Sequence, residues 1–170
     1  HWKIAKPPEV EDLDYQLLFT MLNEGYGHYL SIAAMTGSDR AALTLISRKT
    51  LAPSGDLANF SAKWKEYQAA TTAEGRAALI RSGHIGKMWD KWVAWTGALV
   101  IGTIIDKAGR TALMDCLQAG PYACWYQYQG LCETPLALPE SFVKRVCAVE
   151  EKERAGTLVP PTATGNGVNP

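Results

Sequence analysis

Apolar positions along this chain recur at intervals of three and four residues, and no stretch alternates with the period of two that a half-buried strand requires. After an extended opening that contains Pro7-Pro8, the residues Leu13, Leu17, Leu18, Met21 and Leu22 mark one face of a first helix, predicted to stop near Gly25. The segment "GHYLSIAAMTG" reads as a second, short helix between Gly27 and Gly37. Ser38 then stands as a cap, with Asp39 in the first turn and "AALTLI" as the buried part of a third helix. Beyond a turn at Pro53-Ser54-Gly55-Asp56, Leu57, Phe60, Trp64 and Tyr67 fall at i, i+3, i+7 and i+10, an apolar stripe on a polar helix. Thr71 and Glu74 have the T-x-x-E spacing of a capping box and open a helix through Ile80. Gly120-Pro121 breaks the chain, and Pro139 with Glu140 suits the first turn of a last helix reaching about Arg154. The pattern predicts an all-α chain, a compact bundle of six or seven helices forming one domain over 1–155. Residues 156–170 are too rich in Pro and Gly for regular structure and read as an extended tail.

The middle of that bundle is predicted from "GKMWDKWVAWTGALVIGTIIDKAGR", residues 86–110, as a central apolar helix over about 84–107. Ala94, Ala98 and Gly102 lie four apart and form a small-residue groove in which a neighbouring helix can approach closely. Ile85, Met88, Trp92, Trp95 and Leu99 line an adjoining face with large side chains. A membrane span is the competing reading of the same residues. From Trp92 to Ile105 there are fourteen residues without a charge, a rise of about 21 Å against the ~30 Å of a hydrocarbon core. Extending the span upstream takes Asp90 and Lys91 into the bilayer, at about 2.5–3.5 kcal/mol each near its centre. Length and charge therefore favour a core helix over a span across 88–105.

Charge narrows the partners. Lys plus Arg and Asp plus Glu number 17 each, so no global field attracts nucleic acid, and no basic stripe or RNA-binding aromatic motif is present. The four cysteines, Cys116, Cys124, Cys132 and Cys147, all lie in the last third, at spacings unlike those of a zinc cluster. In an exported protein they would form two disulfides, for which three pairings exist, the nested one joining Cys124 to Cys132 and Cys116 to Cys147. Four buried thiols in a reducing compartment is the alternative. The chain begins with His1 rather than Met, as a cleaved or trimmed chain would, and a periplasmic or extracellular location is the expectation.

Few residues offer chemistry. Glu24, in "LNEGYGHYL", stands at the predicted end of the first helix, where a carboxylic acid of raised pKa could serve a muramidase-like hydrolase as general acid. No convincing second carboxylate accompanies it. His1, His28 and His84 are the only histidines, and a free N-terminal histidine can hold copper through its amine and imidazole, but no assembled ligand set follows and no cofactor is expected. Tyr122, Trp125, Tyr126 and Tyr128 cluster between cysteines, as interface anchors or as a satellite core. The expected function is that of an exported, non-enzymatic helical protein that binds another protein, in the manner of an envelope-assembly accessory subunit or an immunity or inhibitor protein. A membrane-associated subunit of a larger complex, using helix 88–105, is the first alternative, and a cell-wall hydrolase is the second.

Overall fold

The computed structural model describes residues 12–53, 57–85, 91–132 and 136–157. Among them are seven α-helices and no strand: α1 (Leu13–Thr36), α2 (Asp39–Thr50), α3 (Ala58–Ala69), α4 (Ala73–Ser82), α5 (Trp92–Ala119), α6 (Pro121–Leu131) and α7 (Glu140–Arg154). The architecture is all-α, with the long apolar α5 at its centre. From Val93 to Ile105 every residue of α5 is buried. That helix packs chiefly on α1, then on α6 and α2. His1, Met88, the turn residues Ser54, Gly55 and Asp56, and the tail beyond Thr157 lie outside the described residues.

Why α1 and α5 form the axis follows from two glycines. A Cβ on Gly25 would sit 2.2 Å from the backbone carbon of Gly97, and one on Gly97 would sit 1.7 Å from the Met21 carbonyl oxygen. The two backbones touch, and only glycine at both positions permits it. Gly25 therefore does not stop a helix, as the sequence pattern suggested. A glycine inside a helix costs roughly 1 kcal/mol relative to Ala, and the dense packing around this crossing offsets it. The helix runs on through Gly27 to a left-handed Gly37 with φ of 76°. Ala94, Ala98 and Gly102 are buried as expected. The point of closest approach, however, falls at Gly97 beside Ala98 rather than along that stripe. Gly102 receives the Tyr29 ring and Leu43 at ordinary to tight contact.

Several boundaries move for identifiable reasons. The central helix was expected from about 84 to 107. His84 and Ile85 instead form the turn after α4, Ile85 is 69% exposed, and α5 begins at Trp92. Its capping is done by backbone: the Gly83 carbonyl accepts from Val93 and Ala94 N–H at 3.1 and 3.4 Å, which answers two of the donors that a helix start leaves open. Downstream, α5 continues to Ala119 through a break at Gly109, whose φ of 87° is left-handed. Gly120, at φ 107°, turns the chain, and Pro121 opens α6, a helix that the pattern did not foresee. At the start of α4 the cap is Thr72, bonding Gly75 N–H, rather than Thr71.

Other expectations stand. Ser38 caps α2 through Ala41 N–H at 3.2 Å, and Leu57, Phe60, Trp64 and Tyr67 are all buried. The disulfide-linked C-terminal third does not stand: all four cysteines are free thiols. The segment from Cys124 to Cys132, which the nested pairing would close into a loop, belongs to the helix α6, whose Cys124 faces inward while Cys132 lies at its far end. Cys132 lies near Tyr128, whose hydroxyl donates to the Leu136 carbonyl, and the Tyr126 hydroxyl donates to the Cys147 sulfur at 3.5 Å.

Candidate functional site

Where α2 and α4 end and α3 and α5 begin, the four helices leave a cleft of about 490 Å³. Its position is a consequence of local chemistry. α4 stops at Gly83, and the absence of a Cβ there lets Val93 and the Trp92 indole come within 2.2–2.9 Å of where that carbon would stand. The first turn of α5 is thus drawn against the end of α4. Phe60, Trp92 and Trp95 make the aromatic walls of the cleft, and Lys49 and Lys63 stand at its rim. The Phe60 and Trp92 rings lie 6.2 Å apart, and His28 meets Trp95 edge-on at 6.0 Å.

The polar lining is largely committed to its own helices. Thr50 and Thr96 donate to the carbonyls of Ile46 and Trp92 at 2.8 and 2.7 Å, leaving their oxygens as acceptors only. Lys63 pairs with Glu66 at 2.7 Å while both stay about half exposed, a contact of little net strength that a better partner can replace. Apolar walls of this volume with a few charged groups at the mouth are the usual form of a binding cleft. A depression of about 600 Å³ at the α1–α2 corner is less promising. There Arg110 grips Asp39 through two hydrogen bonds of 2.9 and 2.7 Å, and Tyr29 donates to the same carboxylate at 2.7 Å. Those bonds hold the Asp39 carboxyl below its usual range and leave a neutralised pair.

The residues singled out from the sequence are scattered. Glu24 is half-buried in the middle of α1, not at a helix end, and its carbonyl accepts from His28 Nδ1 at 3.0 Å. The Asp39 carboxylate is held by Arg110 and Tyr29. His84 Nδ1 bonds the Ile80 carbonyl at 2.8 Å. Among the described residues no three His, Cys, Asp or Glu side chains gather to hold a metal. Nor, among them, is any helix long and apolar enough to cross a membrane.

Tyr122, Trp125 and Tyr128 are core residues. They fall on one face of α6 at spacings of three, and Trp125 (2% exposed) packs edge-on against Phe142 at 5.2 Å. An anchor has to be exposed before its partner arrives, and Trp125 is not. Tyr126 alone of the four is exposed, bonding Glu150. Sequence reasoning did place Trp92 and Trp95 on a packing face, but it passed over Lys49 and Lys63. Four helices build the cleft, and no local pattern in one chain marks those lysines. Comparison with protein-family models, with curated proteins and with solved structures finds no match to this chain.

Proposed function

We propose that this is a non-enzymatic, exported helical protein that binds another protein, taking an acidic-apolar segment of its partner into the cleft between Lys49 and Lys63. The observation that carries this reading is the cleft itself, about 490 Å³ walled by Phe60, Trp92 and Trp95. That volume suits one or two large side chains of a partner. Aromatic walls favour an apolar or aromatic one, since tryptophan supplies broad contact at little entropic cost. An ammonium group carries three donors and no acceptor atom of its own, so the two lysines at the rim favour a carboxylate beside that side chain. The exported location rests on the even number and grouping of the cysteines alone, since all four are free thiols in this structure.

Selection of displayed short peptides on the intact protein, counter-selected on a Lys49→Glu/Lys63→Glu variant, tests the proposal. Enriched peptides should pair Asp or Glu with an aromatic or large aliphatic residue. Their affinity should fall at least tenfold in the charge-reversed variant and weaken as salt rises. Peptides that bind the variant equally well, or that lack acidic residues, would refute it.

A further inference from the structure

Four uncharged polar side chains line the aromatic cleft: Thr50, Asn59, Ser82 and Thr96. Three of them are committed to their own helices. The Thr50, Ser82 and Thr96 hydroxyls donate to the carbonyls of Ile46, Leu79 and Trp92 at 2.8, 2.9 and 2.7 Å. Asn59 is different. It is exposed in the first turn of α3, and its carboxamide has no hydrogen-bond partner among the described residues. It therefore offers the cleft both a donor and an acceptor, the pair that a peptide unit answers with its own carbonyl and N–H. Lys63 follows four residues later, on the same face of α3 and at the same cleft.

We propose that Asn59 is a specificity-determining residue of the cleft, which grips the backbone of an extended partner segment and fixes one residue between its apolar anchor and its acid. The inference rests on the reading of the cleft given above. A helical segment is a poor fit, because its peptide groups are already bonded within the helix. An extended segment leaves them open. An anchor side chain seated against Phe60 keeps its own peptide unit at the mouth, beside Asn59, the neighbour of Phe60 in the first turn of α3.

Spacing then decides where the acid must stand. Lys63 lies one helical turn beyond Asn59, a rise of about 6 Å. Along an extended chain two residues advance about 6.7 Å and return the side chain to the same side. An acid two positions from the anchor thus meets Lys63 while the anchor stays in the cleft. An adjacent acid points to the opposite side, and one three positions away points away and overshoots by about 4 Å. In the free protein both Glu66 oxygens hold the Lys63 ammonium, at 3.0 and 2.7 Å. The partner's carboxylate takes the place of Glu66.

The test uses blocked heptapeptides with one Phe and one Glu on a Gly-Ser background, separated by zero, one, two or three residues and made in both orders. Binding to the intact protein is read by fluorescence anisotropy. The one-residue spacing should bind about tenfold more tightly than the other spacings in the same order. N-methylation of the Phe amide should weaken that peptide about tenfold on the wild-type protein and hardly at all on Asn59→Ala, whose fold is checked by circular dichroism. Glu66→Gln should tighten the Glu peptides about threefold and leave their Gln counterparts unchanged. Equal affinity at every spacing, or a wild-type response to N-methylation in Asn59→Ala, would overturn the role of Asn59 and leave the cleft as the binding site. Binding by none of the peptides would remove the reading of the cleft and this inference together.

Discussion

The crossing of α1 with α5 and the aromatic sector around Phe142 are both buried, yet they are packed on opposite plans. At the crossing, Gly25 meets Gly97 with backbone against backbone. In the sector, Phe60, Trp64 and Trp125 each meet Phe142 edge-on, with centroids 5.1–5.2 Å apart. One region works by having no side chains, the other by having the largest. The first should tolerate no addition and the second no removal, because a close-packed interior absorbs neither without strain or voids.

The largest effect should come from adding one methyl at the crossing. Gly97→Ala sets a carbon against the Met21 carbonyl, and neither partner is a flexible side-chain end. A loss of about 5 kcal/mol is expected, enough to remove the cooperative melting transition. A Gly97→Ala variant that melts like wild type would break the comparison at its root. Phe142→Ala should cost about 3–5 kcal/mol in denaturant titration, since the ring has three aromatic neighbours and no exposure. Trp125→Phe should cost far less than that, because the indole N–H it removes is buried and has no hydrogen-bond partner among the described residues.

The two regions are joined through Asp14, on α1. Tyr67 of α3 donates to it at 2.9 Å and Arg145 of α7 at 3.1 Å. Asp14→Ala leaves a buried hydroxyl and a cation without their acceptor, at about 2–3 kcal/mol. Equal losses on either background, in a double mutant with Phe142→Leu, would show that Asp14 does not couple to the sector.

Acid should act more gently. For Asp12, burial pushes the carboxyl up, but the Lys152 ammonium and the N–H groups of Tyr15 and Asp14 outweigh it and hold the carboxyl below its ordinary value. Arg110 and Tyr29 do the same for Asp39. A lowered folded pKa means that the stabilisation is complete above the unfolded carboxylate value and is lost as pH falls through the folded one. Stability should therefore drop as pH falls below about 4, by about 1 kcal/mol from these two groups after allowance for their exposure. An Asp39→Asn variant should show a shallower acid slope by urea denaturation. The smallest change has the opposite sign: Gly27→Ala, where a Cβ meets nothing within 4 Å, should stabilise by about 0.5–1 kcal/mol. Two residues away, Gly25→Ala should be disruptive. That contrast isolates the crossing from helix propensity.

The sequence pattern made parts of this legible and hid others. The α3 stripe was readable because Leu57, Phe60, Trp64 and Tyr67 all face one core across one helix. The Ser38 cap was readable because the N–H it accepts from lies three residues away. Gly25 was misread as a stop, since the same residue serves a helix end and a helix crossing, and only the partner distinguishes them. The aromatic run of α6 stands open in sequence between interface and satellite core because its periodicity is obscured by tyrosines on both faces. The cleft could not be read at all, because Lys49, Phe60, Lys63 and Trp95 come from three helices.

What the sequence by itself determined is therefore local and periodic: an all-helical chain, the Ser38 cap, and an apolar helix destined for the middle. These depend on spacings of three and four residues and on side chains reaching their own backbone. What only the tertiary structure decided is which distant residues meet. The backbone contact of Gly25 with Gly97 and the tryptophan-walled cleft each require helices to be placed to within an ångström. That placement emerges from the packing of the whole core, where each side chain is positioned by many neighbours at once.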